Sequence, residues 1–575
     1  MCGIAGVIGH AQAAEWVGRM NAAQTHRGPD GQGVETLRAD AAFGHRRLAI
    51  VDLSDRGTQP MTSADGRWTI TFNGELFNYR ELRDELREVR WRSQSDTEVF
   101  VEGVAAWGLE STLERAVGMF AVGLWDHREQ TLLLARDRLG EKPLVYFWNG
   151  PTLAFASEMK ALTGIHSAEI RPEALDAYLG LGYVPAPLGI FRGTFKLPAG
   201  HWASFRDGEL NVRRWWFPER AETQCPRDAG RRQAELRERL GEAVGIRLRA
   251  DVPVAVALSG GVDSSVVAAE ACRGGVKPSA FTVVFDGDES EVPYARITAQ
   301  RFGLKHTVVH ADSGPERLLD GMMRQFDEPF ADSSAMGCLA LAEAIRGQYK
   351  VILDGDGGDE VFGGYRHYEH IEAKQAVKTV AASVGLCDGF RSDTVYAQSK
   401  ATFRAGERAR LLNGHGAQGL EAVLTGDPYL RVPRKGALRK ALWHDLHLGL
   451  ANGLTHKMDM ALSGYGIEGR APLLDHRLVE WAQGLTEHDL VQGREKKVCL
   501  RRAYETEVPS GVLDRSKRGF GGPVAKWLEG PLREVAEAML PCPLLERVPQ
   551  RDLHGQRQWT LLSLACWAKR WRATW

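Results

Sequence analysis

The sequence lacks the features that mark secreted, membrane-bound or nucleic-acid-binding chains. Its 575 residues include 73 Lys and Arg against 74 Asp and Glu, a net charge of −1. Binding to nucleic acid or an anionic membrane by counterion release needs a clustered excess of positive charge, which this balance excludes. No apolar run approaches the roughly 20 residues of a membrane helix. The first residues also lack the basic and apolar segments of a secretory signal. We therefore expect no nucleic-acid partner, no membrane partner and a cytoplasmic location.

Cysteine is also scarce, with 8 residues in the whole chain. None of them forms a C-x-x-C pair or the spacing of a zinc site, so structural zinc is not expected. No G-x-x-x-x-G-K-[ST] segment occurs, which disfavours a P-loop that transfers a γ-phosphate. The cysteines are expected to be reduced thiols, and only Cys2 is set apart by its position.

Two regions differ in their pattern of hydrophobic residues. Residues 1–205 contain short segments rich in β-branched and aromatic residues, such as Phe120–Trp125, which predict stacked antiparallel sheets of an α+β domain. After a polar linker, residues 225–575 alternate continuous apolar runs such as Val252–Leu258 with helical segments. That alternation predicts an α/β domain with a parallel sheet, and the remainder of the chain is mostly helical.

Cys2 becomes a special nucleophile if Met1 is removed, because it then carries both a thiol and a free α-amine. An α-amine has a pKa of about 7.7–8.0 and a cysteine thiol about 8.5. The amine can therefore serve as the general base for its own side chain, which an internal cysteine cannot arrange. If Met1 stays, that role is blocked and only external ammonia can serve as a nitrogen donor.

The first region resembles the glutaminase domain of class II glutamine amidotransferases, which use an N-terminal cysteine. The resemblance rests on motifs in the same order as in that family: Met1–Gly6, His26–Gly31, Gly44–Ile50, Phe72–Glu75 and Ser95–Glu98. It implies an N-terminal-nucleophile hydrolase fold with Cys2 as the catalytic nucleophile.

The same resemblance implies how glutamine is held. Attack on its amide creates an oxyanion, for which the Asn73 side chain and the Gly74 N–H are the implied donors. Arg47 is suited to bind the α-carboxylate of glutamine with two hydrogen bonds. Asp96 and Glu75 are expected to bind its α-ammonium group.

A glycine-rich loop follows the apolar run of the second region. The segment Leu258–Ser265, L-S-G-G-V-D-S-S, passes from strand to helix N-terminus, an arrangement that binds anions. It resembles the loop of ATP pyrophosphatases, which split ATP into AMP and pyrophosphate. The predicted ATP-binding residues in it are Leu258, Ser259, Gly260, Gly261, Asp263 and Ser264. Asp263 is also placed to bind Mg²⁺ together with phosphate oxygens.

An acidic segment extends the resemblance to asparagine synthetases. Asp354–Tyr365 is similar to their G-[ED]-G-x-D-E-x-F-x-G-Y motif, which implies that Asp359 joins Asp263 on Mg²⁺ and that Asp356 lies where the amide forms. Lys517, in a segment similar to R-x-K-x-x-F, is implied to stabilise charge during adenylation and amide transfer. Val283, Leu258 and Gly355 match positions around the adenine. Glu468–His476 resembles E-x-R-x-P-F-L-D-H and is interpreted as mostly structural.

The resemblance covers nearly the whole chain and implies a glutamine-dependent ligase. Cys2 would release ammonia from glutamine, and the second domain would use ATP and Mg²⁺ to adenylate a carboxylate, most simply aspartate, before amidation. Because free ammonia is mostly protonated at neutral pH, we expect an internal, apolar-lined passage between the sites. The oligomeric state stays open, a homodimer included.

The acceptor is less well defined, because some positions depart from the asparagine synthetase pattern. Met460 and Leu462 replace an arginine and a serine, Cys338 lies in a segment that replaces I-P-T, and Asp354 replaces a serine. These changes indicate either differences in the packing around the site or an acceptor less polar than aspartate, such as a sugar acid or a natural-product intermediate. Two further alternatives are an enzyme that closes an intramolecular amide and an inactive regulatory protein, and the intact motifs of both sites argue against them.

Overall fold

The computed structural model describes residues 1–165, 167–218, 225–285, 289–311, 314–369, 371, 396, 400–416, 418–427, 436–515, 521–539 and 554–574. Within these ranges no helix has the length and apolarity that a membrane crossing demands. The described chain forms two sheet-based regions with a broad shared interface.

The first region contains two six-stranded sheets whose paired strands all run antiparallel. Its strands are β1 (Gly3–Ile8), β2 (Gly31–Arg38), β3 (Ala41–Arg47), β4 (Met61–Thr62), β5 (Trp68–Leu76), β6 (Gly118–Asp126), β7 (Thr131–Arg136), β8 (Val145–Trp148), β9 (Leu153–Ala156), β10 (Thr194–Lys196), β11 (His201–Arg206) and β12 (Glu209–Arg214). The strand orders are β10-β8-β9-β1-β3-β2 and β12-β11-β7-β6-β5-β4. The hairpin of β11 and β12 carries the second sheet past residue 205, the predicted end of the domain, to Arg214.

The two sheets stack face to face around the Phe155 ring. A Cβ on Gly6 of β1 would lie 2.1 Å from that ring, and a Cβ on Gly123 of β6 would lie 2.4 Å from it. Only glycine at both positions lets the ring fit between the layers. The helices around the sheets are α1 (Ala13–Ala23), α2 (Tyr79–Glu85), α3 (Asp96–Trp107), α4 (Leu109–Arg115) and α5 (Pro172–Leu181). This N-terminal-nucleophile hydrolase arrangement confirms the predicted stacked antiparallel sheets.

The second region is built on a five-stranded parallel sheet of order β15-β14-β13-β16-β17. Its strands are β13 (Val254–Ala257), β14 (Ser279–Val284), β15 (His306–His310), β16 (Val351–Leu353) and β17 (Glu468–Arg470), and a separate short hairpin contains β18 (Val491–Gln492) and β19 (Glu495–Lys496). The predicted parallel sheet is confirmed. Its last strand, β17, lies far along the chain from β16, and the described residues between the two strands are mainly helical.

Helices cover the sheet and form most of the C-terminal part, as predicted. They are α6 (Ala229–Arg247), α7 (Val262–Arg273), α8 (Val292–Phe302), α9 (Pro315–Gln325), α10 (Ser334–Ile345), α11 (Gly358–Phe362), α12 (Ala405–Leu411), α13 (Gly419–Gly426), α14 (Ala437–His444), α15 (Thr455–Ser463), α16 (His476–Ala482), α17 (Glu487–Leu490), α18 (Val498–Ala503), α19 (Ser510–Leu513), α20 (Val524–Glu529), α21 (Arg533–Met539) and α22 (Gly555–Trp571). A π-helical segment, Asp445–Leu454, joins α14 to α15. Helix α15 then packs beside β17 and α10.

Buried ion pairs cross the interface between the two regions. Their side chains have at most about 4% exposure, so each charge needs its partner. They are Arg27–Asp459, Asp176–Arg408 and Glu75–Arg470. The interface therefore holds the two regions in a defined relation.

Two candidate active sites

The first candidate site is a pocket at one end of the stacked sheets, between β3, β5 and the start of α3. It brings together most of the residues that the sequence predicts to attack or bind glutamine: Cys2, Arg47, Gly74, Glu75 and Asp96. Leu48, Ile50, Gln59 and Thr97 complete much of its wall. One further wall residue, Glu468, belongs to β17 of the second region. The pocket is thus shared between the two domains.

Cys2 lies immediately before β1 with its thiol directed into this pocket. Its Sγ lies 3.9 Å from the carbonyl oxygen of Leu48, and burial raises the pKa of the thiol. A thiol that resists ionisation requires a base, which agrees with the expected role of the α-amine. Met1 is present and buried, and burial lowers the pKa of its amine to about 6. The Met1 Sδ lies 3.2 Å from the Lys142 Nζ.

Asn73 and Gly74 lie side by side on β5. Gly74 lines the pocket, and its φ of 152° together with a Cβ position 2.0 Å from the Met119 carbonyl oxygen requires glycine there. The Asn73 side chain is fully buried and is not part of the pocket wall. Neither its Nδ2 nor its Oδ1 has a hydrogen-bond partner in the described part of the chain. Buried amides are rarely left so, and functional sites are where such exceptions occur.

Arg47 and Asp96 are both held firmly by main-chain groups. Arg47 donates to the carbonyl oxygen of Ser54 at 2.7 Å and to that of Asp52. Asp96 accepts hydrogen bonds from the Leu76 and Thr97 N–H groups at 2.8 and 2.9 Å. Burial nevertheless raises the pKa of Asp96 to about 6. Its carboxylate therefore gains from a cationic neighbour such as a substrate ammonium group.

Glu75 has a partner that the sequence does not reveal. Its Oε2 accepts from Arg470 Nη2 at 3.0 Å, and Arg470 also binds Glu468 at 2.7 Å. Burial, followed by repulsion from Asp96, raises the pKa of Glu75 well above its usual value. The segment around Glu468 is therefore part of the glutamine pocket as well as structural. Its motif was visible in the sequence, but nothing in the spacing indicates a contact with the other domain.

The second candidate site lies at the carboxyl ends of the parallel strands, the edge where ligands bind in open α/β sheets. Ser259, Gly260 and Gly261 connect β13 to α7, and Gly261 precedes the first residue of that helix. Gly260 has a φ of 68°, and a Cβ there would lie 2.7 Å from the Ala295 nitrogen of α8. Glycine is thus required by the neighbouring helix as well as by the expected approach of phosphate. Ser264 Oγ accepts from the Ser259 N–H at 3.2 Å and closes the loop.

The remaining ATP-site positions lie around this loop. Leu258 directly follows β13, and Val283 lies on the neighbouring strand β14. Gly355 follows β16, where a Cβ would lie 2.8 Å from the Ser264 nitrogen, so the two loops touch. Arg515 was not predicted. Its guanidinium donates to the Gly260 carbonyl oxygen at 3.3 Å and stacks over the Tyr294 ring. Lys517 lies outside the described residues.

The two predicted magnesium ligands meet at one point. Asp263 and Asp359 both form an ion pair with the buried ammonium group of Lys497, which lies 2.5 Å from Asp359 Oδ1. Burial alone would lower the pKa of Lys497, but the two carboxylates outweigh it and raise the pKa. Within the described ranges, no group of three or more His, Cys, Asp and Glu side chains forms a closed metal cage. Two carboxylates around one cation position fit Mg²⁺ that is shared with phosphate oxygens. Lys497 was not predicted as a site residue.

Asp356 lies in a small cavity beside this loop. The cavity is lined by residues of both domains: Glu141, Lys142, Asp354, Asp356, Thr455, Met458, Asp459, Gly469, Ala471 and Leu474. Asp354 Oδ1 accepts from the Asp356 N–H at 3.0 Å, and burial, followed by repulsion from Asp356, raises the pKa of Asp354. Burial also raises the pKa of Glu141 to about 8.

The departures from the family pattern occupy two different environments. Met460 and Leu462 are buried in the core with 1% and 0% exposure, and neither lines the cavity that holds Asp356. Met458 does line it, and its sulfur lies 3.3 Å from the Cys338 Sγ. Lys457 lies nearby, with its Nζ 2.9 Å from the Ser334 Oγ. Met460 and Leu462, at the positions of the family's arginine and serine, therefore pack around the cavity and do not line it.

Comparison with known proteins shows the family to which the chain belongs. The fold and its pockets define a class in which an N-terminal-nucleophile glutaminase domain is joined to an ATP-dependent synthetase domain. Residues 1–216 match the Glutamine amidotransferase domain family, and residues 235–567 match the Asparagine synthase family. The chain belongs to the asparagine synthase family and is an ATP-dependent ligase that uses glutamine as its nitrogen donor and a carboxylate as its acceptor.

Relatives with different names cover most of the chain. A putative glutamine-hydrolysing asparagine synthetase of Mycobacterium tuberculosis is 31% identical, over 98% of this chain and 95% of the relative. Asparagine synthetase 1 of Bacillus subtilis is 29% identical, over 93% and 89%. Amidase chyE of Penicillium rubens is 30% identical, over 90% and 86%.

Proposed function

We propose that the chain converts aspartate to asparagine, with glutamine as the nitrogen source and AMP and pyrophosphate as products. The observation that carries this proposal is the pair of pockets on consecutive residues of β17: Glu468 lines the glutamine pocket and Gly469 lines the cavity with Asp356. Neighbouring residues of a strand are only about 3.3 Å apart along its axis. The two pockets therefore border the same short stretch of β17, an arrangement that favours direct passage of ammonia from one to the other.

The first half-reaction is assigned to Cys2. After loss of Met1, the α-amine of Cys2 would take the thiol proton while Sγ attacks the side-chain amide of glutamine. The Gly74 N–H and the unpartnered Asn73 amide would stabilise the oxyanion, a contribution worth roughly 3–4 kcal/mol per donor. The amine then gives its proton to departing ammonia, and water hydrolyses the thioester to glutamate. Arg47 and Asp96 would bind the substrate carboxylate and ammonium.

The second half-reaction is assigned to the loop after β13 and the segment after β16. Ser259, Gly261 and Ser264 would hold the pyrophosphate of ATP while an oxygen of the acceptor carboxylate attacks the α-phosphorus. Asp263 and Asp359 would hold Mg²⁺, which when bound neutralises the phosphate charge. Lys497 supplies positive charge at the same place, and Lys517 is assigned the same task by motif. Ammonia then attacks the acyl-adenylate and AMP leaves.

A passage for ammonia between the pockets is supported by the position of Met1. Its buried side chain lies between Arg27 and Lys142, and Lys142 lines the cavity with Asp356. Loss of Met1, which the chemistry of Cys2 requires, would also vacate this space. Because Arg27 and Lys142 are charged, this passage would be more polar than the apolar-lined passage expected from the sequence.

The alternative acceptor is a carboxylate other than aspartate. Met458 and Cys338 bring two sulfur atoms together beside the cavity with Asp356, whose wall also includes the Asp354 carboxyl group. This arrangement fits an acceptor with an apolar body next to its carboxylate. Relatives named amidase, such as chyE of Penicillium rubens, are about as similar as the asparagine synthetases are. A cytoplasmic location remains a prediction.

Pyrophosphate release tests the proposal directly. Protein shown by mass spectrometry to begin at Cys2 is given ATP, Mg²⁺ and glutamine, with and without aspartate. We expect aspartate-dependent pyrophosphate with one asparagine and one glutamate formed for each. Glutamine hydrolysis without aspartate-dependent pyrophosphate would reject aspartate as the acceptor, and a panel of other carboxylates would then be tested.

A further inference from the structure

Arg27 makes a bridge between the predicted nucleophile and the second domain. It lies in the His26–Gly31 motif of the first region and is completely buried. Its Nε donates to the carbonyl oxygen of Cys2 at 2.8 Å. Its Nη1 and Nη2 donate to the two carboxylate oxygens of Asp459 at 2.8 and 3.2 Å. One guanidinium thus joins the main chain of Cys2 to helix α15.

The contact with Cys2 matters because of where Cys2 lies. Strand β1 begins at Gly3, so Cys2 precedes the first residue of the strand. Once Met1 is removed, Cys2 is bound to the protein through a single peptide bond, and rotation about its Cα–C bond moves both the amine and the thiol. A hydrogen bond to the Cys2 carbonyl oxygen fixes the peptide plane from which the Cα, the amine and the thiol extend. Small errors in the geometry of reacting groups cost much rate.

The orientation of Arg27 depends strongly on Asp459. Glu158 also accepts from Arg27 at 2.9 Å, but Glu158 is shared with His26 and Lys160 at 2.8 and 2.9 Å. Asp459 instead binds both terminal nitrogens, a bidentate geometry that fixes the plane of a guanidinium. Its nearest other cation is Lys142 at 3.8 Å.

We propose that Asp459, a residue of the synthetase domain, is a positioning residue for Cys2 and acts through Arg27. The inference deepens the proposed function, because it rests on glutamine hydrolysis at Cys2. It gives the second domain a direct part in the first half-reaction. Asp459 also lines the cavity with Asp356, so the same side chain borders the second site and contacts Arg27.

The chain contains a matched control for the ion pair itself. Arg408 and Asp176 also form a buried ion pair between the two regions, at 2.9 Å, with 1% and 0% side-chain exposure. Arg408 further contacts Glu421 and the Phe403 carbonyl oxygen rather than Cys2. Asp176→Asn therefore removes an equivalent charge from the interface and leaves the nucleophile untouched.

The test compares Asp459→Asn with Asp176→Asn in the full-length protein that begins at Cys2. We expect Asp459→Asn to lower kcat for glutamine hydrolysis by about 10- to 100-fold with less than a twofold change in KM, because binding groups stay while the nucleophile loses its orientation. The rate of Cys2 alkylation by 6-diazo-5-oxo-norleucine, a glutamine analogue, should fall by the same factor. Asp176→Asn should change neither quantity.

Further results separate positioning from simple destabilisation. Arg27→Lys keeps the charge but cannot bind Asp459 and Cys2 together, so it should match Asp459→Asn, whereas Asp459→Glu should recover part of kcat. Equal kcat values for Asp459→Asn and Asp176→Asn at equal Tm would overturn the inference. If the unsubstituted protein does not hydrolyse glutamine at all, the proposed function fails instead.

Discussion

In the first region the predicted chemistry lies on or beside the strands of stacked antiparallel sheets, whereas in the second region it lies on loops that follow parallel strands. Cys2 precedes β1, Asn73 and Gly74 lie within β5, and Asp96 begins α3. Ser259–Gly261 and Asp356 instead occupy the connections after β13 and β16. The first site is therefore a pocket built on strand and helix residues, while the second lies on loops at the edge of a parallel sheet.

The comparison also shows where the two regions depend on each other. Glu468 of the second region lines the pocket with Cys2. Glu141 and Lys142 of the first region line the cavity with Asp356. Each site is thus completed by residues of the other domain. Substitutions can therefore show whether glutamine hydrolysis and ATP-dependent amide formation depend on each other.

The largest effect is expected from Cys2→Ala. Loss of the nucleophile should reduce glutamine-dependent amide formation by at least ~10³-fold, since no other group can form the thioester. Ammonium salt at high pH should still support pyrophosphate release, because the second site is intact. Parallel assays with glutamine and with ammonia measure this separation. Equal loss with both donors would show that the two regions cannot work apart.

Asp359→Asn is the corresponding change in the second region. We expect it to lower pyrophosphate release by about 10²-fold or more even with ammonia, because one of two carboxylates at the cation position loses its charge. Titration calorimetry with Mg²⁺ and ATP should show weaker binding of the metal. Glutamine hydrolysis should remain within about twofold, and a matching loss of hydrolysis would contradict the assignment.

Arg470→Met tests the interface itself. The variant leaves Glu75 and Glu468 buried without their shared cation, and removal of one partner from a buried ion pair costs about 3–5 kcal/mol. Urea unfolding should report this loss. The control is Arg533→Met, where the pair with Glu537 is exposed and should contribute little because solvent screens it. Similar unfolding midpoints for both variants would show that the interface does not depend on Arg470.

The smallest effect expected is a pH dependence of glutamine binding. Burial raises the pKa of Asp96 to about 6, so its carboxylate is ionised only above that pH. As the pH falls through 6, kcat/KM for glutamine should fall by up to about tenfold per unit, because protonated Asp96 cannot pair with the ammonium group. Asp96→Asn should have a low kcat/KM that does not fall further as the pH drops through 6. If kcat/KM of Asp96→Asn still falls with pH, the titrating group is not Asp96.

The sequence predicted the fold class of each region and the family of the chain, because strand patterns and loop motifs are local. The alternation around Val252–Leu258 and the loop S-G-G-V-D-S-S require only neighbours along the chain. The sequence was less informative about Met460 and Leu462, since their burial depends on packing between helices and sheets. It was silent on Lys497, whose contacts with Asp263 and Asp359 join distant segments.

By itself, the sequence predicted a cysteine nucleophile with oxyanion donors in the first region and a loop that resembles that of ATP pyrophosphatases in the second. Only the tertiary structure decided how the two are connected: Glu468 and Gly469 of β17 border both pockets, and Arg27 joins Cys2 to Asp459. A sequence motif contains residues that lie close together along the chain. Ion pairs between residues hundreds of positions apart form only when two buried surfaces meet, because burial makes an unpaired charge too costly to leave.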